Sequence, residues 1–346
     1  MRIRRLSCLF APWFALALLL PAGARAQGDV TKIRFALDWR FEGPSALFVH
    51  ALRKGYFTQE KLDVQIDVGT GSASAVNRVS SAAYDMGFAD INSLIEFLGN
   101  NPGAAPGSRP VAVYMVYDTM PGAVFALKKS NINKPSDLNG KTLGAPVFDA
   151  GRKAFPIFAR ANGIDLKTVA WKTMDPALRE LMLARGEVDA ITSFYFTGLP
   201  GLAARGVKAE DLVIMRYPDF GVQLYGSAVI SSPKMIAEKP QAVAAFLRAL
   251  NRSIKEVIAN PDEGIRSLKA HDPLVDVAIE TQRLKLCVDN FVVTPYVRNA
   301  GLGAINKLRL DNTIEQVVAA FGIKSQVSPD GIFDSRFLPS VAERRL

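Results

Sequence analysis

The alternation of apolar and polar positions in this chain repeats one plan twice. From Ile33 to Asn92, and again from Lys141 to Tyr195, the pattern reads strand, helix, strand, helix, strand. Short apolar runs predict strands at Ile33–Leu37, Val64–Val68 and Met86–Ala89 in the first copy, and at Thr142–Ala145, Thr168–Thr173 and Val188–Thr192 in the second. Helical spacing predicts a helix from Pro44 to Tyr56, stopped at Gly55. A second helix opens at Ser72 as its N-cap, with Ala73, Val76, Val79 and Ala83 on one face. In the second copy Asp175-Pro176 opens a helix whose stripe is Leu178, Leu181 and Met182. A parallel sheet built this way binds ligands just beyond the carboxyl ends of its strands. Two copies give two such edges, and if they face each other the space between them is a cleft.

Further strands are predicted at Val111–Tyr117, Gly122–Lys128, Leu212–Arg216 and Ala228–Ser231. Crossings near Asp118–Gly122 and Val222–Ser227 would then carry the chain into a second lobe and back. That divides it into lobe 1, residues 28–118 plus 226–346, and lobe 2, residues 119–225. Two connections make a hinge, and hinges suit closure around a ligand. From Pro233 the chain reads as mostly helical, with Pro240–Ala259 a long amphipathic stretch.

The first residues belong to a different category. Met1–Arg5 carries three arginines, Leu6–Leu20 is apolar, and Ala24-Arg25-Ala26 is an A-x-A cleavage pattern. This reads as a signal peptide, residues 1–26, cleaved before Gln27, which sends the protein to the periplasm. The apolar run is short for a membrane span and is interrupted by Pro12 and Pro21. Removing the leader takes away Arg2, Arg4, Arg5 and Arg25 and no acid, so the formal charge of +9 falls to +5. No run of five or six Lys/Arg exists, so nucleic acid is not an expected partner. One cysteine, Cys287, remains in an apolar setting and reads as a buried hydrophobe.

Chemistry is sparse. His50 and His271 are the two histidines and lie far apart, and no H-E-x-x-H, C-x-x-C or G-x-S-x-G motif is present. We therefore expect no catalytic residues, no metal and no cofactor. The candidates for a site are the polar and aromatic residues just past the strand ends. Asp38, Trp39, Gly71, Ser72 and Asp90 come from the first copy. Phe148, Asp149, Arg152 and Tyr195 come from the second, and Tyr117 and Tyr225 sit at the crossings. Trp39 reads as a cleft wall or as packed core. The Gly69–Ser72 loop is either a turn and cap or a set of free backbone N–H groups suited to an anion. Arg152 is either a carboxylate-binding fork or a solvated first-turn residue. Tyr195 and Tyr225 either face a ring or fill a core. Asn251-Arg252-Ser253 fits a glycosylation pattern but lies inside a predicted helix, and we read it as chance.

Several runs carry a resemblance. Phe35-Ala36-Leu37-Asp38-Trp39, Leu52-Arg53-Lys54-Gly55-Tyr56-Phe57 and Leu62-Asp63-Val64 resemble the opening of NMT1/THI5-like solute-binding proteins. Lys61 stands where that family usually has glycine. Asp137–Gly144 and Gly186–Ala190 extend the likeness, which spans nearly all of the mature chain. The resemblance implies an α/β, two-lobed periplasmic-binding-protein (Venus flytrap, type II) fold. Each lobe would be a mostly parallel sheet flanked by helices, with two hinge crossings. It also implies a monomer that delivers a small molecule to the membrane permease of an ABC importer. The fungal branch of the family makes a thiamine pyrimidine with a cysteine-rich motif and histidine chemistry. This chain lacks that cluster and carries an export signal, so an enzyme is not expected. An acid and a bulky aromatic in Pro146–Arg152 argue against a small, hard anion. Trp39, Phe148, Tyr195 and Tyr225 suggest a flat aromatic or pyrimidine-like ligand, with Asp38, Asp90 and Asp149 accepting hydrogen bonds. The alternative is an organic anion, a sulfonate or carboxylate, held by Arg152 and the Gly71–Ser72 backbone. In this reading lobe 2 is the moving lid, and the Asp149–Arg152 turn decides ligand identity.

Overall fold

The computed structural model describes residues 30–346, and the expected signal peptide lies outside them. The strands follow in chain order: β1 (Thr31–Ala36), β2 (Leu62–Asp67), β3 (Met86–Asp90), β4 (Val111–Met115), β5 (Gly122–Leu127), β6 (Thr142–Gly144), β7 (Ala170–Lys172), β8 (Ala190–Phe194), β9 (Leu212–Arg216) and β10 (Ser227–Ser231). They form two five-stranded sheets with the same internal plan. One runs β2-β1-β3-β10-β4 and the other β7-β6-β8-β5-β9. In each sheet four strands point one way and the fourth in order is antiparallel to both its neighbours. That antiparallel strand, β5 or β10, is the first one laid down after the chain crosses between lobes. The repeat seen in the sequence is therefore β1–β3 and β6–β8, and each crossing delivers the strand that extends it.

Local chemistry explains the elements. β2 alternates Leu62, Val64 and Ile66 inward with Asp63 and Gln65 outward, the period of a half-covered strand. The helix Pro240–Ala259 packs Val243, Phe246, Leu247, Leu250 and Ile254 onto the first sheet. There Phe246 stacks between Phe35 and Phe57, with ring centroids 5.0 and 4.8 Å away. Fully burying each such side chain contributes about 1.5–3 kcal/mol. Asn251 lies on this helix, accepts from the Tyr114 hydroxyl at 2.9 Å and donates to the Glu343 carbonyl, so its sequence pattern is structural. Cys287 is buried, as expected of a small hydrophobe. Among the described residues no helix is long and apolar enough to cross a membrane.

The expected helix Pro44–Tyr56 is broken in two. A 3₁₀ turn, Gly43–Ser45, leads into Ala46–Arg53, and a short helix, Tyr56–Gln59, follows Gly55, whose φ is +71°. The helix from Ser72 runs to Ser80, but Gly71 is its cap position, and Ser72, Ala75, Val76 and Val79 form the buried face. The Leu178 stripe is also displaced. The helix is Arg179–Ala184, Leu178 is exposed, and Arg179, Glu180 and Leu183 face inward.

The lobes meet along their strand ends and beside the crossings. Gly71 of the first lies against the backbone of Phe148 in the second, and Ala73 donates its N–H to the Phe148 carbonyl at 3.4 Å. Lys153 pairs with Glu96 across the gap at 3.0 Å. One side chain, Arg309, fastens both crossings. Its guanidinium binds the Asp118 carboxylate at 2.7 Å and the Thr119 hydroxyl at 3.1 Å, and it lies 4.2 Å above the Tyr225 ring.

Candidate functional site

A cavity lies between the carboxyl ends of the two sheets, about 550 Å³ of space with its mouth included. β1 leads into Leu37-Asp38-Trp39, and the loop after β2 folds against this turn. Gly71 donates its N–H to the Asp38 carbonyl at 2.7 Å and Gly69 to the Trp39 carbonyl at 3.0 Å. A Cβ on Gly69 would stand 2.2 Å from the Leu37 carbonyl oxygen, so only glycine lets the loops meet. This contact holds Asp38 and Trp39 at the cavity wall, and Ser72 donates its hydroxyl to Asp38 at 3.0 Å.

The wall is aromatic. Phe48, Phe88, Tyr117, Phe194 and Phe196 line it beside Trp39. Tyr117 meets Phe88 edge-on at 5.2 Å and Phe196 at 5.6 Å, and Phe48 lies 4.9 Å from Phe88. Set into this wall are buried charges. Asp149 caps the helix Ala150–Ala161 by accepting the Arg152 N–H, and its second oxygen takes the Arg179 guanidinium at 2.9 Å. Arg179, 1% exposed, also pairs with Glu180 at 2.8 Å and lies 4.8 Å over the Trp39 ring. Glu42 accepts from Arg40 at 2.8 Å and faces Arg283 at 3.2 Å, and both its contacts use the same oxygen. Its other oxygen, and the Trp39 indole N–H, are buried without a hydrogen-bond partner.

Asp38, Trp39, Gly71, Ser72, Tyr117 and Asp149 are thus brought together around one cavity. Five other candidates are not. Asp90 caps the helix Ile91–Asn100, accepting from the Asn92 and Ser93 N–H groups, and does not reach the cavity. Phe148 presents its carbonyl to Gly71 while its ring lies at the surface. Arg152 stacks on Trp171 at 4.7 Å and donates to the Ala145 carbonyl and the Thr173 hydroxyl. Tyr195 lies under Arg216 at 5.2 Å, and Tyr225 accepts the Asn306 N–H at the hinge. The anion reading of the Gly69–Ser72 loop meets the same obstacle, because the Phe148 carbonyl oxygen already faces that helix start. We expect Arg152→Ala to change ligand affinity by less than about twofold, the scale of a substitution outside the site. A loss above tenfold in calorimetric titration would restore Arg152 to the site.

Arg179, Glu42, Phe194 and Phe196 escaped the sequence reading. Phe194 ends β8 and Phe196 lies in the first turn of the helix Tyr195–Ala203, so the two reach the cavity from the junction of strand and helix. Arg179 carries no sequence signal, because its apolar neighbour Leu178 marks the wrong face.

Burial shifts the acids. Desolvation raises the Asp38 carboxyl to about 7 despite the Ser72 hydrogen bond, and raises Asp90 to about 8 against its capping N–H groups. Asp149 is raised by burial, opposed by Arg179. The sign for stability follows directly. The unfolded chain ionises Asp38 above about pH 4, whereas the folded protein holds its proton until about 7. Asp38 therefore costs stability as pH rises through that window, with a slope of up to about 1.4 kcal/mol per unit. Denaturant titration of Asp38→Asn should show a shallower fall between pH 4 and 7 than the parent. Identical slopes would mean that Asp38 is already ionised in the fold.

Comparison with known proteins agrees with this geometry. The NMT1/THI5 like family description matches residues 44–264. The formylaminopyrimidine-binding protein of Halalkalibacterium halodurans is 25% identical over 74% of this chain and 77% of its own. The riboflavin-binding protein RibY of Chloroflexus aurantiacus is 23% identical over 91% and 88%. The 4-amino-5-hydroxymethyl-2-methylpyrimidine phosphate synthase of Candida albicans is 23% identical over 78% and 79%. Among solved structures, the alkanesulfonate-binding protein SsuA of Xanthomonas axonopodis pv. citri, bound to MOPS, superposes with a TM-score of 0.67 at 12% identity, covering 89% of this chain and 99% of that one. The fold is the two-lobed periplasmic-binding-protein fold, and the chain belongs to the NMT1/THI5-like family.

Proposed function

We propose that this protein is an extracytoplasmic solute-binding protein that closes over a flat aromatic or heterocyclic compound and delivers it to the permease of an ABC importer. The observation that carries the reading is the cavity itself: aromatic walls from both lobes, with an unpartnered indole N–H and an unpartnered carboxylate oxygen set into them. A ring offering both an acceptor and a donor, as an aminopyrimidine does, complements that pair. The guanidinium of Arg179 is neutralised by Asp149 and Glu180 and that of Arg40 pairs with Glu42, so a sulfonate or carboxylate would meet cations already matched by acids, although the buried Arg40 Nε has no hydrogen-bond partner. Pyrimidine and riboflavin names among the relatives support the same class. In this reading the lobes divide at residues 28–118 plus 226–346 and 119–225. The protein acts as a periplasmic monomer after removal of residues 1–26, and Asp38, Trp39, Ser72, Tyr117 and Asp149 contact the ligand together with Glu42. No chemistry is required of the protein: the ligand favours the closed form by fitting it better than the open one.

Thermal-shift screening of aminopyrimidines, flavins and sulfonates tests the class. For the ligand found, Trp39→Ala should weaken binding by about 30- to 100-fold, the 2–3 kcal/mol of a lost aromatic wall, and Trp39→Phe should restore part of it. Unchanged affinity in Trp39→Ala would remove Trp39 from the site. A sulfonate that outbinds every heterocycle would overturn the class.

The synthase name among the relatives favours a second reading, pyrimidine synthesis. Against it, His50 is enclosed by Ser267 and Glu256, and His271 lies against Phe41, so neither belongs to the cavity. Turnover of the mature protein with iron and a vitamin B6 phosphate distinguishes the readings, since pyrimidine product appears only in the second.

A further inference from the structure

Above about pH 7, where Asp38 and Glu280 give up their protons, the acids around the cavity outnumber the cations. Asp38, Glu42, Asp149, Glu180 and Glu280 are each at most 8% exposed. Three guanidiniums face them: Arg179 serves Asp149 and Glu180, while Arg40 and Arg283 serve Glu42 and Glu280. Arg152 turns its guanidinium away onto Trp171. Asp38 has no cationic partner within salt-bridge distance among the described residues; its side-chain contact is the Ser72 hydroxyl. Glu42, which lines the cavity, keeps one buried oxygen without a hydrogen-bond partner. Around these two carboxylates stand Trp39, Phe48, Phe88, Tyr117, Phe194 and Phe196. Aromatic faces and buried carboxylates share one preference, since both attract a cation whose own hydration is weak. A delocalised positive ring answers both at once.

We propose that the ligand binds as a cation, a protonated or quaternised nitrogen heterocycle, with its charge against Asp38 and Glu42. This rests on the heterocycle reading above and narrows it. Glu42 is then the residue that decides specificity, because its free oxygen is the acceptor that the protein leaves open, while Arg40 and Arg283 fix its position from the other oxygen. Glu42, Asp149, Asp90, Tyr117 and Cys287 stand near Asp38, while the two guanidiniums that share its cavity, Arg40 and Arg179, are turned to Glu42 and to Asp149 and Glu180.

The test uses the mature protein and two probes, 4-amino-2-methylpyrimidine, which is neutral at pH 8, and its ring-nitrogen-methylated cation. Calorimetric titration should show the cation binding at least about tenfold tighter. That preference should fall below about threefold in Glu42→Gln and in Asp38→Asn, with each variant's fold checked by circular dichroism. Comparing the same two probes on parent and variants cancels the steric effect of the added methyl group. A neutral probe that binds as tightly as the cation overturns the charge inference and leaves the heterocycle reading standing. So does a preference that survives both substitutions. If neither probe binds while an organic anion does, the heterocycle reading fails and this inference fails with it.

Discussion

Gly71→Ala should hold the lobes apart. A Cβ at this position would stand 2.1 Å from the Phe148 carbonyl oxygen and 2.3 Å from its carbon, and both are backbone atoms that no rotamer change can move. The backbone at Gly71 has φ +137°, a region that other residues rarely adopt. The lobes must separate by an ångström or more to admit the methyl group, and the cavity then loses the wall supplied by the second lobe. We expect ligand affinity to fall by at least about 100-fold, because a ligand that must bind an open site forfeits half its contacts. The strain within the loop costs about 1–3 kcal/mol, so the fold itself should survive. Small-angle scattering in the presence of ligand is the direct check: the parent should compact and the variant should not. If Gly71→Ala closes and binds as the parent does, the Gly71–Phe148 contact is not part of the bound state.

Arg179→Met carries the largest expected cost in stability. Its removal leaves Asp149 and Glu180, 5% and 1% exposed, buried without their cation. Breaking a buried ion pair from one side costs about 3–5 kcal/mol, most of it the desolvation of the abandoned charge. The melting temperature should drop by roughly 4–8 °C, and the loss should shrink at low pH, where protonation relieves Asp149. Adding Asp149→Asn and Glu180→Gln to Arg179→Met removes the stranded charges and should recover much of the loss. A single variant as stable as the parent would show that water reaches the triad and that Arg179 is not the anchor of the cavity.

The contrast between these residues explains what a sequence can reveal here. The ten strands are legible because apolar runs of fixed length have few alternatives, and the helix Pro240–Ala259 keeps the bounds that its periodicity dictates. The D-W turn is legible because a polar residue and an aromatic at the end of a strand have a defined place in this architecture. Tyr195 and Tyr225 are not among the residues that line the cavity, whereas Phe194 at the end of β8 and Phe196 in the following helical turn are, a difference set where strand gives way to helix. Arg152 lies apart for a different reason: an arginine in a first helical turn can point in many directions, and here it stacks on Trp171. Arg179 and Glu42 were invisible because a buried charge is defined by partners distant in the chain, such as Asp149 and Arg283.

The Arg309 fastening bears on how the molecule moves. Both connecting strands are tied, at Asp118–Thr119 and at Tyr225, to one side chain on the helix Lys307–Phe321. The stretches beyond these ties are joined as well, since Met120 donates its N–H to the Leu224 carbonyl at 3.0 Å, so any bending involves both crossings together. Two neighbouring flexures anchored at one point define a door rather than a ball joint, with a single axis of swing and little freedom to slide or twist. Such a door searches one angular coordinate, so each closing stroke returns Trp39 and Arg179 to the same alignment.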